Sequence, residues 1–238
     1  MSIKGIIFDK DGTLFDFQSS WGASTFDFLS SLSDGNSTTL ENLGHTLRFD
    51  LKQKVFFPDS IFIAGTAQQT MDLLRPIIPN QTEGDILEKQ HLSYSNLEQI
   101  PVKNLHGILK QLNDLGYLLN IATNDLKDST LTQLKKFNIA NFFIEVIGSD
   151  SGYGAKPEPS QLLEIARTVG LKASEVVMVG DSVHDMIAAR KANFKAIGVL
   201  TGVATKEDLQ PYSDVVFNDI SYLLSWIEKQ NVTNTITR

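Results

Sequence analysis

Two carboxylates two residues apart, Asp9 and Asp11, stand in the segment Ile6-Ile7-Phe8-Asp9-Lys10-Asp11-Gly12-Thr13-Leu14. The run from Ile3 to Phe8 is apolar and rich in β-branched residues, which reads as a buried strand. Side chains two apart on a strand share a face, so both acids are expected at its C-terminal end, the edge at which open α/β sheets bind ligands. Paired carboxylates in that position suit a divalent cation, or a division of nucleophilic and acid–base work. Gly12 permits a sharp turn directly after them. The same residues also fit a plainer description, a strand that ends in an Asp-Gly turn, so the rest of the chain has to decide.

Three more stretches carry the residue types that such a pair would need. Thr123-Asn124 follows the apolar run Leu118 to Ala122 and precedes a helical pattern, where a hydroxyl and unpaired backbone N–H groups make an anion site; a simple helix cap fits equally. Lys156 lies in Gly154-Ala155-Lys156-Pro157-Glu158-Pro159, stiffened by two prolines, although a loop lysine is ordinarily a solvated charge. In Gly180-Asp181-Ser182-Val183-His184-Asp185, Asp181 ends a strand and Asp185 opens a helix; both acids could equally be capping residues. The plain descriptions would require four coincidences at one sheet edge. Three carboxylates plus Asp185 suit Mg²⁺, which prefers oxygen ligands.

The elements that must position these residues fall into two patterns. From Pro101 onward helices alternate with strands: helix Asn104–Leu115 ended by Gly116, strand Tyr117–Ala122, helix Ser129–Phe137, strand Phe142–Ile147, helix Ser160–Val169 ended by Gly170, strand Val176–Val179, helix Asp185–Ala192, strand Ala196–Val199, a short strand at Val215 and Val216, and helix Ile220–Glu228. The tail from Asn231 is polar and expected to fray. This order implies an α/β fold, a mostly parallel sheet covered by helices on both faces. Between Phe15 and Leu97 only helical patterns are found: Trp21–Leu32, Thr38 or Thr39 to about Val55, Ala67–Leu74, and Thr82–Leu97. That block reads as an all-helical insert separating the first strand from the others.

Bulk composition narrows the function. The chain has 238 residues, enough for one large domain or a core with an insert. With 21 basic and 28 acidic residues the net charge is −7, which argues against nonspecific nucleic-acid or anionic-membrane binding. The absence of Cys excludes thiol catalysis and thiolate metal sites. Lys4, Asp9, Lys10 and Asp11 interrupt any apolar leader, and no stretch reaches the length of a membrane span; a cytoplasmic enzyme or binding protein is expected.

Together the four motifs resemble those of the haloacid dehalogenase superfamily, in its phosphoglycolate-phosphatase-like branch: Phe8-Asp9-Lys10-Asp11-Gly12-Thr13, Thr123-Asn124, Lys156-Pro157 and Gly180-Asp181-Ser182-Val183-His184-Asp185, in the family's order. The resemblance implies a Rossmann-like core (residues 1–16 and 98–238) interrupted by a helical cap (17–97) that closes about hinges near Asp16–Phe17 and Ile100–Pro101. It implies hydrolysis of a small phosphate monoester, phosphoglycolate-like or a sugar phosphate. Asp9 is then the nucleophile that forms an aspartyl-phosphate, and Asp11 the acid–base residue. Thr123, the N–H of Asn124 and Lys156 hold the phosphoryl group. Mg²⁺ is held by Asp9, the carbonyl of Asp11, and Asp181, with Asp185 in support. A dehalogenase would lack the acid at Asp11. A phosphonatase would want a Schiff-base lysine in the cap, and nothing marks Lys52, Lys54 or Lys89 as buried. Two alternatives stay open: a phosphomutase of the β-phosphoglucomutase type, and a noncatalytic phosphate-binding regulator. Where the family usually has an apolar residue between the two acids, this chain has Lys10, expected to face away from Asp9 and given no chemistry. For the substrate's anion, His45, Arg48 and Lys52 at helical spacing are one candidate set, though a solvated face fits them better, and the loop Ile63-Ala64-Gly65-Thr66 is the stronger one. Neither the substrate's identity nor the oligomeric state is legible.

Overall fold

The structure, a computed structural model, describes residues 2–94 and 97–236. In chain order it runs β1 (Gly5–Phe8), β2 (Phe15–Asp16), α1 (Phe17–Leu32), α2 (Ser37–Thr46), β3 (Phe49–Asp50), β4 (Val55–Phe56), α3 (Ile61–Ala64), α4 (Ala67–Leu74), α5 (Glu83–Tyr94), β5 (Ile100–Pro101), α6 (Leu105–Asp114), β6 (Leu118–Ala122), α7 (Lys127–Lys136), β7 (Phe143–Ile147), α8 (Ser160–Thr168), β8 (Val176–Gly180), α9 (Val183–Lys191), β9 (Lys195–Val199), α10 (Lys206–Leu209), β10 (Val215–Phe217) and α11 (Leu223–Ile236). The chain divides into two compact units, one made of the residues up to Phe15 with those from Pro101 onward, the other Asp16–Ile100.

The first unit holds a six-stranded sheet in the order β10-β9-β8-β1-β6-β7. Its ladders are parallel. β1 sits at the centre despite being first in sequence, hydrogen-bonded to β6 on one side and β8 on the other. β1 and β8 are apolar on both faces and β6 is so except for the buried Asn120, as a sheet covered twice requires. The period of two sorts them: Ile6, Phe8, Leu119, Ile121, Val177 and Val179 join one core with Leu105, Leu109 and Leu112 of α6 and Leu223 and Ile227 of α11. Ile7, Ala122, Val176 and Met178 join the other with Leu162 and Ile165 of α8 and Met186 of α9. Each such fully buried aliphatic side chain stabilises the fold by about 1.5–3 kcal/mol. Neighbouring strands lie ~5 Å apart, so the ends of β1, β6 and β8 bring their following residues together.

The tail expected to fray begins inside helix α11. Helix α11 continues to Ile236. Within it Asn231 accepts from the backbone N–H of Ile3 at 2.7 Å and donates to its carbonyl at 3.4 Å, closing the open backbone ahead of β1. Residues 237 and 238 lie outside the described residues.

In the second unit, α1 is capped by Asp16, whose carboxylate accepts from the N–H of Ser19. The unit is not all helical. The helix expected to reach Val55 stops at Thr46; Arg48 takes a positive φ of 53° and a β3–β4 hairpin follows. Two contacts favour the hairpin. The Phe49 and Phe56 rings meet at 4.8 Å, and the Gln18 amide both accepts from Phe56 N and donates to Phe56 O. As a result His45, Arg48 and Lys52 do not share a helical face, and Arg48 pairs with Asp59 at 2.8 Å. Within Ile63-Ala64-Gly65-Thr66, the first two residues end α3, Gly65 caps it, and Thr66 caps α4. The helix expected over Thr82–Leu97 is seen as Glu83–Tyr94; Ser95 and Asn96 lie outside the described residues. Phe17, Trp21, Phe56 and Phe62 form this unit's aromatic interior, with ring centroids 4.9–6.5 Å apart. Among the described residues, no helix is long and apolar enough to cross a membrane.

Candidate active site

After β1 the backbone turns tightly around one carbonyl, that of Lys10, which accepts from the N–H groups of Thr13, Leu14 and Phe15. Gly12 makes this turn at φ +81°, and a Cβ on it would stand 2.1 Å from Asp181 Oδ2. A Cβ on Gly202 would stand 1.7 Å from the same oxygen. Asp181, directly after β8, is therefore approached closely by two backbones that only glycine allows so near. Thr13 donates to its Oδ1 at 3.3 Å, and Thr201 donates to the Gly12 carbonyl at 2.6 Å, pinning the turn.

Lys156 is buried and its ammonium donates to Asp9 Oδ1 and Asp185 Oδ1, both at 2.6 Å. Asn124 holds it there: its side-chain oxygen accepts from the Lys156 N–H at 2.9 Å, while its amide nitrogen donates to the Lys156 carbonyl at 3.0 Å. The Lys156–Pro157 peptide is cis. Gln161, fully buried on α8, donates to the carbonyls of Thr123 and Gly154 and so braces both loops. The Thr123 hydroxyl accepts from Asp125 N at 3.1 Å. Helix α9 begins two residues earlier than expected, with Ser182 as its cap. Asp185 lies in the first turn, and its Oδ2 accepts from the Ser182 N–H at 3.0 Å and hydroxyl at 2.6 Å. Asp185 is thus both a capping partner and a site carboxylate.

Asp9, Asp181 and Asp185 each offer an oxygen within 4.8 Å of the other two. Asp181 Oδ2 is buried with no hydrogen-bond partner. Burial pushes Asp9 up from 3.8 to about 6, only partly opposed by Lys156, with Asp185 and Asp11 adding to the rise. Burial and the charges of Asp9 and Asp185 hold Asp181 well above the usual carboxylate range. Burial disfavours the charge on Lys156, but Asp185 and Asp9 more than offset it and raise its pKa. Three clustered carboxylates against one ammonium leave an excess of buried negative charge.

The structure therefore brings Asp9, Lys156, Asp181 and Asp185 into direct contact range, ties Asn124 to them through the backbone of Lys156, and holds Thr123 nearby through Gln161. Asp11 stands apart from the carboxylate cluster. Its Oδ2 lies 2.7 Å from Nζ of Lys10, which also lies 3.1 Å from Asp125 Oδ2 and donates to Gln133 Oε1. Lys10, given no role from the sequence, is a fully buried member of the site's surroundings. Its one signal was a charge where the strand pattern calls for an apolar residue. Thr201, Gly202 and Gln161 carried no signal that separates them from ordinary loop and helix residues.

A family model described as haloacid dehalogenase-like hydrolase matches residues 6–199. The chain is 25% identical over 236 residues to a phosphoglycolate phosphatase of Psychrobacter arcticus, covering 96% of this chain and 97% of that one. It is 26% identical over 227 residues to pyrophosphatase PpaX of Anoxybacillus flavithermus, covering 94% and 97%. In fold it matches a predicted phosphoglycolate phosphatase from Haemophilus somnus 129pt with a TM-score of 0.74 at 24% identity, over 94% of this chain and 98% of that one. With all four motifs at the carboxyl ends of a central parallel sheet, the chain belongs to the haloacid dehalogenase-like hydrolases.

Proposed function

We propose that this hydrolase is a Mg²⁺-dependent phosphatase acting on a small phosphate monoester through an aspartyl-phosphate on Asp9. The observation that carries the reading is the unpartnered, buried Asp181 Oδ2 within a cluster of three carboxylates and one lysine. A carboxylate oxygen buried without a donor is costly, and an all-oxygen cluster suits a hard divalent cation. Asp9, Asp181 and the backbone carbonyl of Asp11 would hold Mg²⁺, with Asp185 in support, since both its oxygens already accept from Lys156 and Ser182. When bound, the ion offsets the repulsion between carboxylates and phosphate.

The residues of the chain then divide the work. A carboxylate oxygen of Asp9 attacks phosphorus as the ester P–O bond breaks. Asp11 gives its proton to the departing oxygen, releasing the alcohol and leaving the phosphoryl group on Asp9. Asp11, now a carboxylate, takes a proton from water, whose oxygen attacks phosphorus. The bond to Asp9 breaks, inorganic phosphate leaves, and Asp11 is protonated again. Lys156, fixed by Asn124, orients Asp9 and neutralises charge; the Thr123 hydroxyl and the N–H of Asn124 bind phosphoryl oxygens.

We take the Asp16–Ile100 unit as the cap that selects the leaving group, with its hinges where β2 and β5 carry the chain between the two units. The names of the relatives make phosphoglycolate and pyrophosphate the first substrates to try. An assay with p-nitrophenyl phosphate tests the reading: turnover with Mg²⁺ that EDTA abolishes and Mg²⁺ restores supports it. Undiminished turnover in metal-free buffer contradicts it. Release of free phosphate, rather than an isomerised sugar phosphate, separates it from a phosphomutase.

A further inference from the structure

We propose that Lys10 is a positioning residue for Asp11: with Asp125 and Gln133 it fixes the carboxylate that passes protons to the leaving group and from water. The proposal rests on the acid–base assignment of Asp11 above.

The geometry is that of a brace. Lys10 has no exposed surface. An ammonium has three donors, and three acceptors surround this one: Asp11 Oδ2, Asp125 Oδ2 and Gln133 Oε1. Its hydrogen-bonding capacity is thus taken up by protein groups, unlike that of a lysine presented to a substrate. The acceptors are themselves held. Asp125 accepts from the Leu126 N–H at 2.7 Å and the Ser129 hydroxyl at 3.2 Å, and the Gln133 amide donates to Ser129 at 3.4 Å. Ser129 and Gln133 lie on α7, Asp125 in the loop before it. The loop after β6 that carries Thr123 and Asn124 is therefore linked through one ammonium to the loop after β1 that carries Asp11.

Charge explains why the brace is cationic. Asp11 and Asp125 are the ammonium's two carboxylate partners, with side chains only 14% and 24% exposed. Without the ammonium between them they repel. The buried ammonium in turn needs both, because burying it unpaired costs several kcal/mol. One oxygen of Asp11, Oδ2, is fixed to Lys10, and this sets the orientation of the whole carboxylate. Neither Asp9 nor Lys156 is a partner of this ammonium.

A purely structural ion pair and a positioning one differ in a measurable way. General acid catalysis matters in proportion to how poor the leaving group is. The test compares Lys10→Met with the unsubstituted protein in Mg²⁺, by rapid quench, on p-nitrophenyl phosphate and on phenyl phosphate, whose phenolate is the poorer leaving group. Circular dichroism and thermal unfolding establish that the variant is folded. We expect phosphorylation by p-nitrophenyl phosphate within ~3-fold of normal, phosphorylation by phenyl phosphate slowed ~10²-fold, and phosphoenzyme accumulating because its hydrolysis is slowed as well. Equal slowing on both esters, or slowing on neither, overturns the proposal. If Lys10→Met does not fold, Gln133→Leu, which removes one of the three acceptors, is expected to move the ratio in the same direction by ~3-fold, and an unchanged ratio overturns the proposal. Asp11→Asn is run alongside. A leaving-group effect in Asp11→Asn without one in Lys10→Met rejects the role of Lys10 alone. No effect in Asp11→Asn rejects the acid–base assignment and the role of Lys10 with it.

Discussion

The two units of the chain place charge in opposite ways. In the Asp16–Ile100 unit the ion pairs lie at the surface: Arg48–Asp59 has side chains 47% and 63% exposed, and Arg75–Glu83 47% and 59%. Its interior is apolar and aromatic, built on Phe28, Leu29, Leu32, Phe49, Phe56 and Leu74. The sheet-bearing unit has surface pairs too, but at the ends of β1 and β8, in the loop before α8 and in the first turn of α9 it also buries Asp9, Lys10, Lys156, Asp181 and Asp185. Exposed pairs contribute about 0–1 kcal/mol each, whereas breaking a buried pair costs about 3–5 kcal/mol. Charge at the sheet edge is thus held in place at an energetic cost that packing alone does not demand, which marks this edge as the candidate functional site. The other unit is held mainly by apolar contacts, and such contacts leave its surface residues tolerant of change.

The largest expected effect comes from the smallest edit to that cluster. Asp9→Asn keeps the shape of the side chain and removes the proposed nucleophile; turnover is expected to fall on the order of 10⁴-fold or more with thermal unfolding still cooperative. Replacing residues 17–97 with a short linker tests the other unit: loss on phosphoglycolate or pyrophosphate, whichever proves the better substrate, should exceed loss on p-nitrophenyl phosphate by at least ~10-fold. Equal losses in a folded core would mean that the insert does not select substrates.

Stability separates the units further. Lys156→Met leaves Asp9 and Asp185 without their shared cation, and in EDTA should cost about 3–5 kcal/mol in urea unfolding. Arg48→Ala, at an exposed pair, should cost less than about 1 kcal/mol. The raised pKa of Asp9 adds a dependence on pH. Its folded value, about 6, exceeds the ordinary 3.8, so the folded protein binds the proton more tightly than the unfolded chain. In EDTA, stability relative to Asp9→Asn should be greatest below about pH 4 and fall as pH rises through 6, by roughly 3 kcal/mol in all. Because Mg²⁺ requires the deprotonated carboxylates, the stabilisation it confers should grow over the same range. A relative stability that is flat from pH 4 to 7 would contradict the burial-driven shift.

Much of this was legible in the sequence because the core uses strong local signals. Strand β8 is an uninterrupted apolar run and β6 is broken only by Asn120, and the helices around them end at Gly116 and Gly170, both at positive φ. The candidate site was legible as motifs, each at the end of a predicted strand or in the loop that follows one. What could not be read depends on distant partners. The hairpin at Phe49–Phe56 is completed by Gln18, 38 residues away, and the tail is held by Asn231 bonding to Ile3, 228 residues away. Lys10 read as a charge pointing elsewhere because its acceptor on α7, Gln133, lies 123 residues on. Gly202 is required only by its closeness to Asp181, which no local pattern encodes.

The most direct test of the account is the site of covalent phosphorylation. With Mg²⁺ and p-nitrophenyl phosphate, acid-quenched protein should carry one hydroxylamine-sensitive phosphoryl group, located by mass spectrometry in the peptide containing Asp9. The group should be absent from Asp9→Asn and from protein in EDTA. Phosphate on any other residue, or steady turnover by a protein that never becomes phosphorylated, would contradict it.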